Sequence, residues 1–179
     1  MAEIPSNFIG DFKVGDNLVY NADVLRSVCE HNGDGSLNKL VVVQVGSILE
    51  AALGQIIYRA QNFNREGVPN IAEADRQEIE GKKVDKLNNI IDVMRKYELL
   101  NALGGSIYDE LHMLRKFRNK VHIQDDNADV PRDEEMAFTA SRCAWSLDLC
   151  TTVLAFLSQQ FPRPANIGNY VRPLCIPNA

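Results

Sequence analysis

None of the four cysteines, Cys29, Cys143, Cys150 and Cys175, is separated from another by two residues. The missing CxxC pair argues against a zinc site or a redox motif. The opening residues, MAEIPSNFIGDF, lack the basic start and apolar run of a signal peptide. No apolar stretch is expected to reach membrane-spanning length, and the chain has neither internal repeats nor low-complexity blocks. A basic excess is missing too. Lys and Arg number 19 against 24 Asp and Glu, so the net charge is −5. No positive field covers the molecule, and any contact with nucleic acid must be made by a local patch. These absences predict a cytoplasmic protein with reduced thiols, no membrane segment, no metal and no cofactor.

What is present is helical pattern. At 179 residues and 45% hydrophobic, the chain can bury a core as one domain. Residues 1–19 carry Pro5, Gly10 and Gly15 and read as an irregular lead-in. Residues 20–30 can form a helix capped by Asn21, and HNGDGS breaks it. Residues 36–62 form a long apolar helix, because VVVQV continues through ILEAALGQII without interruption. REGVPN breaks the chain again. A polar segment with Gly81 leads to KVDKLNNIIDVMRKYELL, where Leu87, Ile90, Ile91 and Met94 share one face. Leu103-Gly104-Gly105 turns the chain, and Ser106 can cap the next helix.

The last helix has the most regular pattern. Met136, Ala140, Cys143, Leu147, Cys150, Leu154, Leu157 and Phe161 alternate spacings of four and three, a seam for packing on other helices. Pro131 suits its first turn, and Asp133, Glu134 and Glu135 favour the positive end of its dipole. Cys143 and Cys150 fall on the seam as core thiols. Residues 162–179, rich in proline, are either a strap across the bundle or a mobile end. The predicted architecture is an all-α antiparallel bundle of four to five main helices, with residues 36–161 as its core.

Within LHMLRKFRNKVHI, the eight residues RKFRNKVH hold Arg115, Lys116, Arg118 and Lys120 with Asn119 and His122. At about 100° per residue, Leu114, Phe117 and Val121 point into the bundle. Leu111, Arg115, Arg118 and His122 form a neighbouring stripe, with Asn119, Tyr108 and His112 on its far side. A forked guanidinium binds two phosphoryl oxygens, and an imidazole near neutrality exchanges a proton with a ribose hydroxyl or a leaving oxygen. Together they could handle phosphate without a metal. The plainer alternative is that basic residues late in a helix complement its negative end.

The stretch LRKFRNKVH, followed by a short acidic loop and a long final helix, resembles the HEPN superfamily of small helical bundles. That family's signature is an Arg, commonly followed by a polar residue such as Asn, and a His several positions on. The SILEAAL and KLNNIIDVMRKYELL segments resemble helices of bacterial HEPN-like proteins. Three residues separate Arg118 from His122, one short of the family's shortest spacing, whereas the six between Arg115 and His122 conform. The residue after Arg115 is Lys116, however, and not Asn. The resemblance implies a homodimer acting as a metal-independent endoribonuclease. Arg115 or Arg118 would clamp the phosphate, Asn119 would position it and His122 would move the proton, with Tyr108 and His112 in support. It equally implies a non-catalytic bundle that binds RNA, a nucleotide or a protein partner, such as an antitoxin in a defence or toxin–antitoxin system.

Two further residues carry expectations. Glu50 lies among apolar neighbours in SILEAALGQII and must find a partner. An arginine of the motif is the obvious one, either as a structural ion pair or as support for a site. HNGDGSLNK has the look of a calcium loop, but Val41 stands where the closing bidentate Glu belongs. A turn is the simpler reading, with Asp34 or Ser36 capping the following helix. Calorimetric titration with calcium should therefore show no binding in the micromolar range of sensor sites. A binding isotherm abolished by Asp34→Ala would overturn this reading.

Overall fold

The computed structural model describes residues 1–63, 73–81, 84–122, 128–167 and 171–179. Its helices are α1 (Phe12–Glu30), α2 (Asn38–Asn62), α3 (Glu73–Gly81), α4 (Leu87–Lys96), α5 (Ile107–Asn119), α6 (Glu134–Ala137) and α7 (Ala140–Gln160). A 3-10 turn spans Asn101–Leu103, and two short strands, β1 (Ala2–Ile4) and β2 (Leu174–Ile176), complete the described elements. The fold is an all-α helical bundle. REGVPN and the acidic loop after His122 lie outside the described residues.

The central element is α2. Val41, Val42, Val45, Ile48, Leu49, Ala52, Leu53 and Ile56 are buried along it, and it packs on α1, α4, α5 and α7. By length and composition it could cross a membrane, which corrects the expectation that no segment is long and apolar enough. Most of that stretch is covered by its own bundle, so a core helix accounts for its composition.

The lead-in is more ordered than its glycines suggest. Gly10 and Asp11 both donate their amides to Oε1 of buried Gln55 on α2, at 3.1 and 2.8 Å. Asp11 then caps α1 by accepting from the amides of Lys13 and Val14. The helix therefore starts at Phe12, not at residue 20. Asn21 caps nothing; its amide binds Asn17 O inside α1. Gly10 and Gly15 serve close approach. A Cβ at Gly10 would lie 2.6 Å from Arg59 Cγ, and one at Gly15 would lie 2.6 Å from Val171 Cγ2.

The two ends of the chain meet. β1 pairs antiparallel with β2, with Ala2, Glu3 and Ile4 opposite Ile176, Cys175 and Leu174. Ile4, Leu174 and Ile176 point into the core. Of the two readings of the tail, residues 171–176 take that of a strap, because alternate apolar side chains give the pair one buried face.

The expected last helix, with Pro131 in its first turn, is broken in two. Asp133 caps α6, and Thr139, in extended conformation, caps α7 by accepting from the Arg142 amide. The break turns Phe138 inward and leaves its carbonyl to accept from Asn38 Nδ2 at 3.0 Å. Met136 consequently lies off the seam, 69% exposed, and Ala140 is exposed too. Pro131 precedes α6 and is not part of a helix. From Cys143 to Phe161 the seam is buried throughout. Burial pushes the Cys150 thiol up to about 12, as expected of a core cysteine.

In HNGDGS, Asp34 accepts from the Ser36 amide at 2.9 Å and Asn32 from the Leu37 amide at 2.7 Å. Neither Asp34 nor Ser36 caps α2, whose first residue lacks a side-chain cap. At the end of α4, Leu99 N donates to Met94 O and Glu98 N to Arg95 O. This is the Schellman closure, with Leu99 and Met94 both buried beneath it. Glu98 occupies its left-handed position, with φ +56, where glycine is favoured. Glu98→Gly should therefore stabilise the protein by roughly 0.5–1 kcal/mol in urea unfolding. A loss of stability would mean that the Glu98 side chain contributes more than its backbone costs.

Candidate functional site

Helix α5 lies antiparallel to α4. Tyr108, near its start, meets Met94 near the end of α4, whereas His112, a turn later, meets Asp92. Leu111, Leu114 and Phe117 bury one face. Phe117 anchors that face to α7, edge-on to Phe138 and Trp145 with centroids 6.1 and 6.4 Å away. The Arg142 guanidinium covers the same ring at 4.2 Å.

The helix ends earlier than the sequence suggests. Lys120 leaves helical geometry, and Val121 N and His122 N bond back to Arg118 O and Asn119 O, three residues behind each. This tightening of the last turn breaks the 100° periodicity on which the expected stripe depended. Val121, expected in the core, is 49% exposed. His122, expected on the stripe, lies exposed in the turn, and its ring makes no hydrogen bond among the described residues.

The four cations of the motif have different fates. Lys116 pairs with Asp129 at 2.6 Å, and Lys120 is buried. Arg118 Nη2 meets Glu50 Oε2 at 2.5 Å, so Glu50 has its arginine. The other carboxylate oxygen of Glu50 accepts from the Leu87 amide at 2.9 Å, at the start of α4. One carboxylate thus joins α2, α4 and α5. The contact requires Gly46, one turn before Glu50 on α2. A Cβ there would stand 2.8 Å from both Cβ and Cγ of Arg118. The glycine lets the arginine stem lie flat on α2, a role that the spacing of small residues near Glu50 could have signalled.

Arg115 is different. Among the described residues its guanidinium has no carboxylate partner, and its Nε is buried without a hydrogen bond. Asn119, one turn on, is half-buried, and its side chain bonds to no described residue. His112, one turn back, faces Asp92 at 3.4 Å. Burial pushes the His112 imidazole below its usual range, with Arg115 and Arg95 acting in the same direction and Asp92 and Asp109 opposing. That direction favours the neutral imidazole and weakens the ionic part of its contact with Asp92.

Tyr108 is not part of this group. Its hydroxyl accepts from the Leu100 amide and has Asn101 Oδ1 at 2.9 Å and Met94 O at 3.2 Å as acceptors for its one proton, and the Arg95 guanidinium lies over its ring. Burial raises its pKa. It is a buried brace between α4 and α5, at the opposite end of α5 from His122. The structure thus places Arg115, Asn119 and His112 on one face and ties Arg118 to Glu50. It leaves His122 beyond the helix end and Tyr108 elsewhere. Among the described residues, no group of His, Cys, Asp and Glu is arranged to hold a metal ion.

Comparison with protein-family models, with curated proteins and with solved structures finds no match.

Arg118→Ala should lower stability by roughly 1–3 kcal/mol, because Glu50 loses its charged partner in a partly covered site. For a chain of this size that is a drop of about 2–4 °C in Tm per kcal/mol. Arg115→Ala, which breaks no ion pair among the described residues, should shift the melt far less. Equal melting of wild type and Arg118→Ala would refute a stabilising role for the pair.

Proposed function

We propose that this chain is a HEPN-like bundle that binds the phosphate backbone of RNA along the C-terminal edge of α5, without cutting it. The observation that carries this reading is the guanidinium of Arg115, which has no carboxylate partner among the described residues and whose Nε is unbonded there. It stands on a half-buried face beside Asn119, whose amide can donate to the same anion. On a chain with net charge −5, such a local donor set is the form that a nucleic-acid contact must take.

Binding asks for less than cleavage does. A general acid–base needs its imidazole within hydrogen-bond reach of the reacting oxygen and held in one tautomer. His122 has no partner among the described residues to orient it. Arg118, the arginine of the RN pair, already has Glu50. A homodimer would present two α5 edges and gain from their linkage. The cytoplasm is the compartment that this reading requires.

A second reading, the metal-independent nuclease, is favoured by one feature. His122 is exposed in a turn and so is open to a second copy of the chain. One experiment separates the two. Labelled single-stranded RNA is titrated with wild type, Arg115→Ala and His122→Ala, with and without EDTA, over a range of salt. RNA should stay intact, and His122→Ala should bind as wild type does. Arg115→Ala should bind more weakly, with the slope of log affinity against log salt reduced by about 0.7. Cleavage that survives EDTA and disappears in His122→Ala would establish the nuclease instead.

A further inference from the structure

We infer that Glu50 is a built-in competitor for phosphate: its carboxylate occupies Arg118 and thereby limits how tightly the α5 edge holds its ligand. The ligand rests on the RNA-binding reading above, but the competition concerns any phosphate oxyanion. Each Glu50 oxygen accepts one N–H, Oε1 from the Leu87 amide and Oε2 from Arg118 Nη2. A phosphate oxyanion takes the same kinds of donor, so carboxylate and phosphate compete for Arg118 Nη2.

Three features make the pair displaceable and not merely structural. The side chains of Arg118 and Glu50 remain 31% and 22% exposed, so water and ligands reach both. An ion pair partly open to solvent has a small net stability, which a second anion can match. The stem of Arg118 lies close against α2 at Gly46, so only the head of the side chain has to change partner. Arg115, three residues earlier on the same helix, offers the second guanidinium, with Nε shielded from water and unbonded. With Glu50 displaced, the edge offers two arginines, not one, that lack a carboxylate partner among the described residues. A ligand that needs Arg118 sees its affinity reduced by the fraction of time that Arg118 is free. If that fraction is about a tenth, the apparent Kd is raised about tenfold.

The test uses Glu50→Gln, which keeps a carbonyl oxygen for the Leu87 amide and removes the charge that holds Arg118. Thermal melts are recorded in inorganic phosphate against sodium chloride of matched ionic strength, and single-stranded RNA binding is followed by fluorescence polarisation. Glu50→Gln should melt below wild type without phosphate, regain stability as phosphate is added, and bind RNA about tenfold more tightly. The double variant Glu50→Gln/Arg118→Gln should lose both gains. If Glu50→Gln gains nothing from phosphate beyond wild type, the competition is wrong, whether or not the protein binds RNA. If neither protein binds RNA but Glu50→Gln gains an Arg118-dependent response to phosphate, the competition stands and RNA is not the ligand. Should Glu50→Gln fail to fold, Glu50→Asp is one methylene too short to reach both donors and enters the same assays. A smaller gain is expected from it, and no gain overturns the inference.

Discussion

The rest of the bundle depends on one buried charge, the guanidinium of Arg59. It is fully covered, and its Nη atoms donate to the carbonyls of Phe8, Phe161 and Pro162. Burying a cation costs several kcal/mol unless hydrogen bonds replace its water. Here the carbonyls just past the end of α7 supply them, at the negative end of that helix's dipole. The same side chain therefore fixes three pieces at once: the end of α2, the end of α7 and the incoming N-terminal segment. Gly10 must be a glycine for the chain to pass this stem, and Gln55, one turn earlier on α2, holds the amides of Gly10 and Asp11. The start of α1 and the pairing of β1 with β2 follow from that anchoring.

Midway along α2, Gly46 and Glu50 hold an arginine in a looser way. A glycine again admits an arginine stem, but here a carboxylate one turn on, and not backbone carbonyls, binds its head. The difference lies in exposure. Arg59 has none, whereas Arg118 and Glu50 are both reachable from solvent. Dielectric screening makes the first a fixed element of the fold and the second an equilibrium that a competing anion can shift. A candidate site therefore belongs beside Arg118, midway along α2, and not at the Arg59 end.

Much of the bundle was legible in the residues. The burial of Leu87, Ile90, Ile91 and Met94 follows from their spacing, as does that of Cys143 through Phe161. Glu50 was readable as a carboxylate in need of an arginine because burial leaves a charge few alternatives. At the candidate site the reading was less complete. Arg115 and Asn119 were identifiable, but the spacing that put Arg115, Arg118 and His122 on one stripe assumed a helix running past Asn119. Tyr108 was grouped with them for its position on the helical wheel, although the length of α5 and its bonds to Met94 and Leu100 separate it.

Periodicity in the sequence by itself determined the all-α class, the course of α2, α4 and α5, and the apolar face of α7. These depend on which residues recur each turn, and that information is local. Only the tertiary structure decided where helices begin, break and end. Asp11 starts α1 because Gln55 holds the preceding backbone, and Phe138 interrupts the last helix with its carbonyl bound by Asn38. The same is true of the strand pair and of the choice of Arg118 over Arg115 as the partner of Glu50. Each of these rests on a hydrogen bond or a close approach between residues distant in the chain, and no periodicity within one segment encodes such a partner.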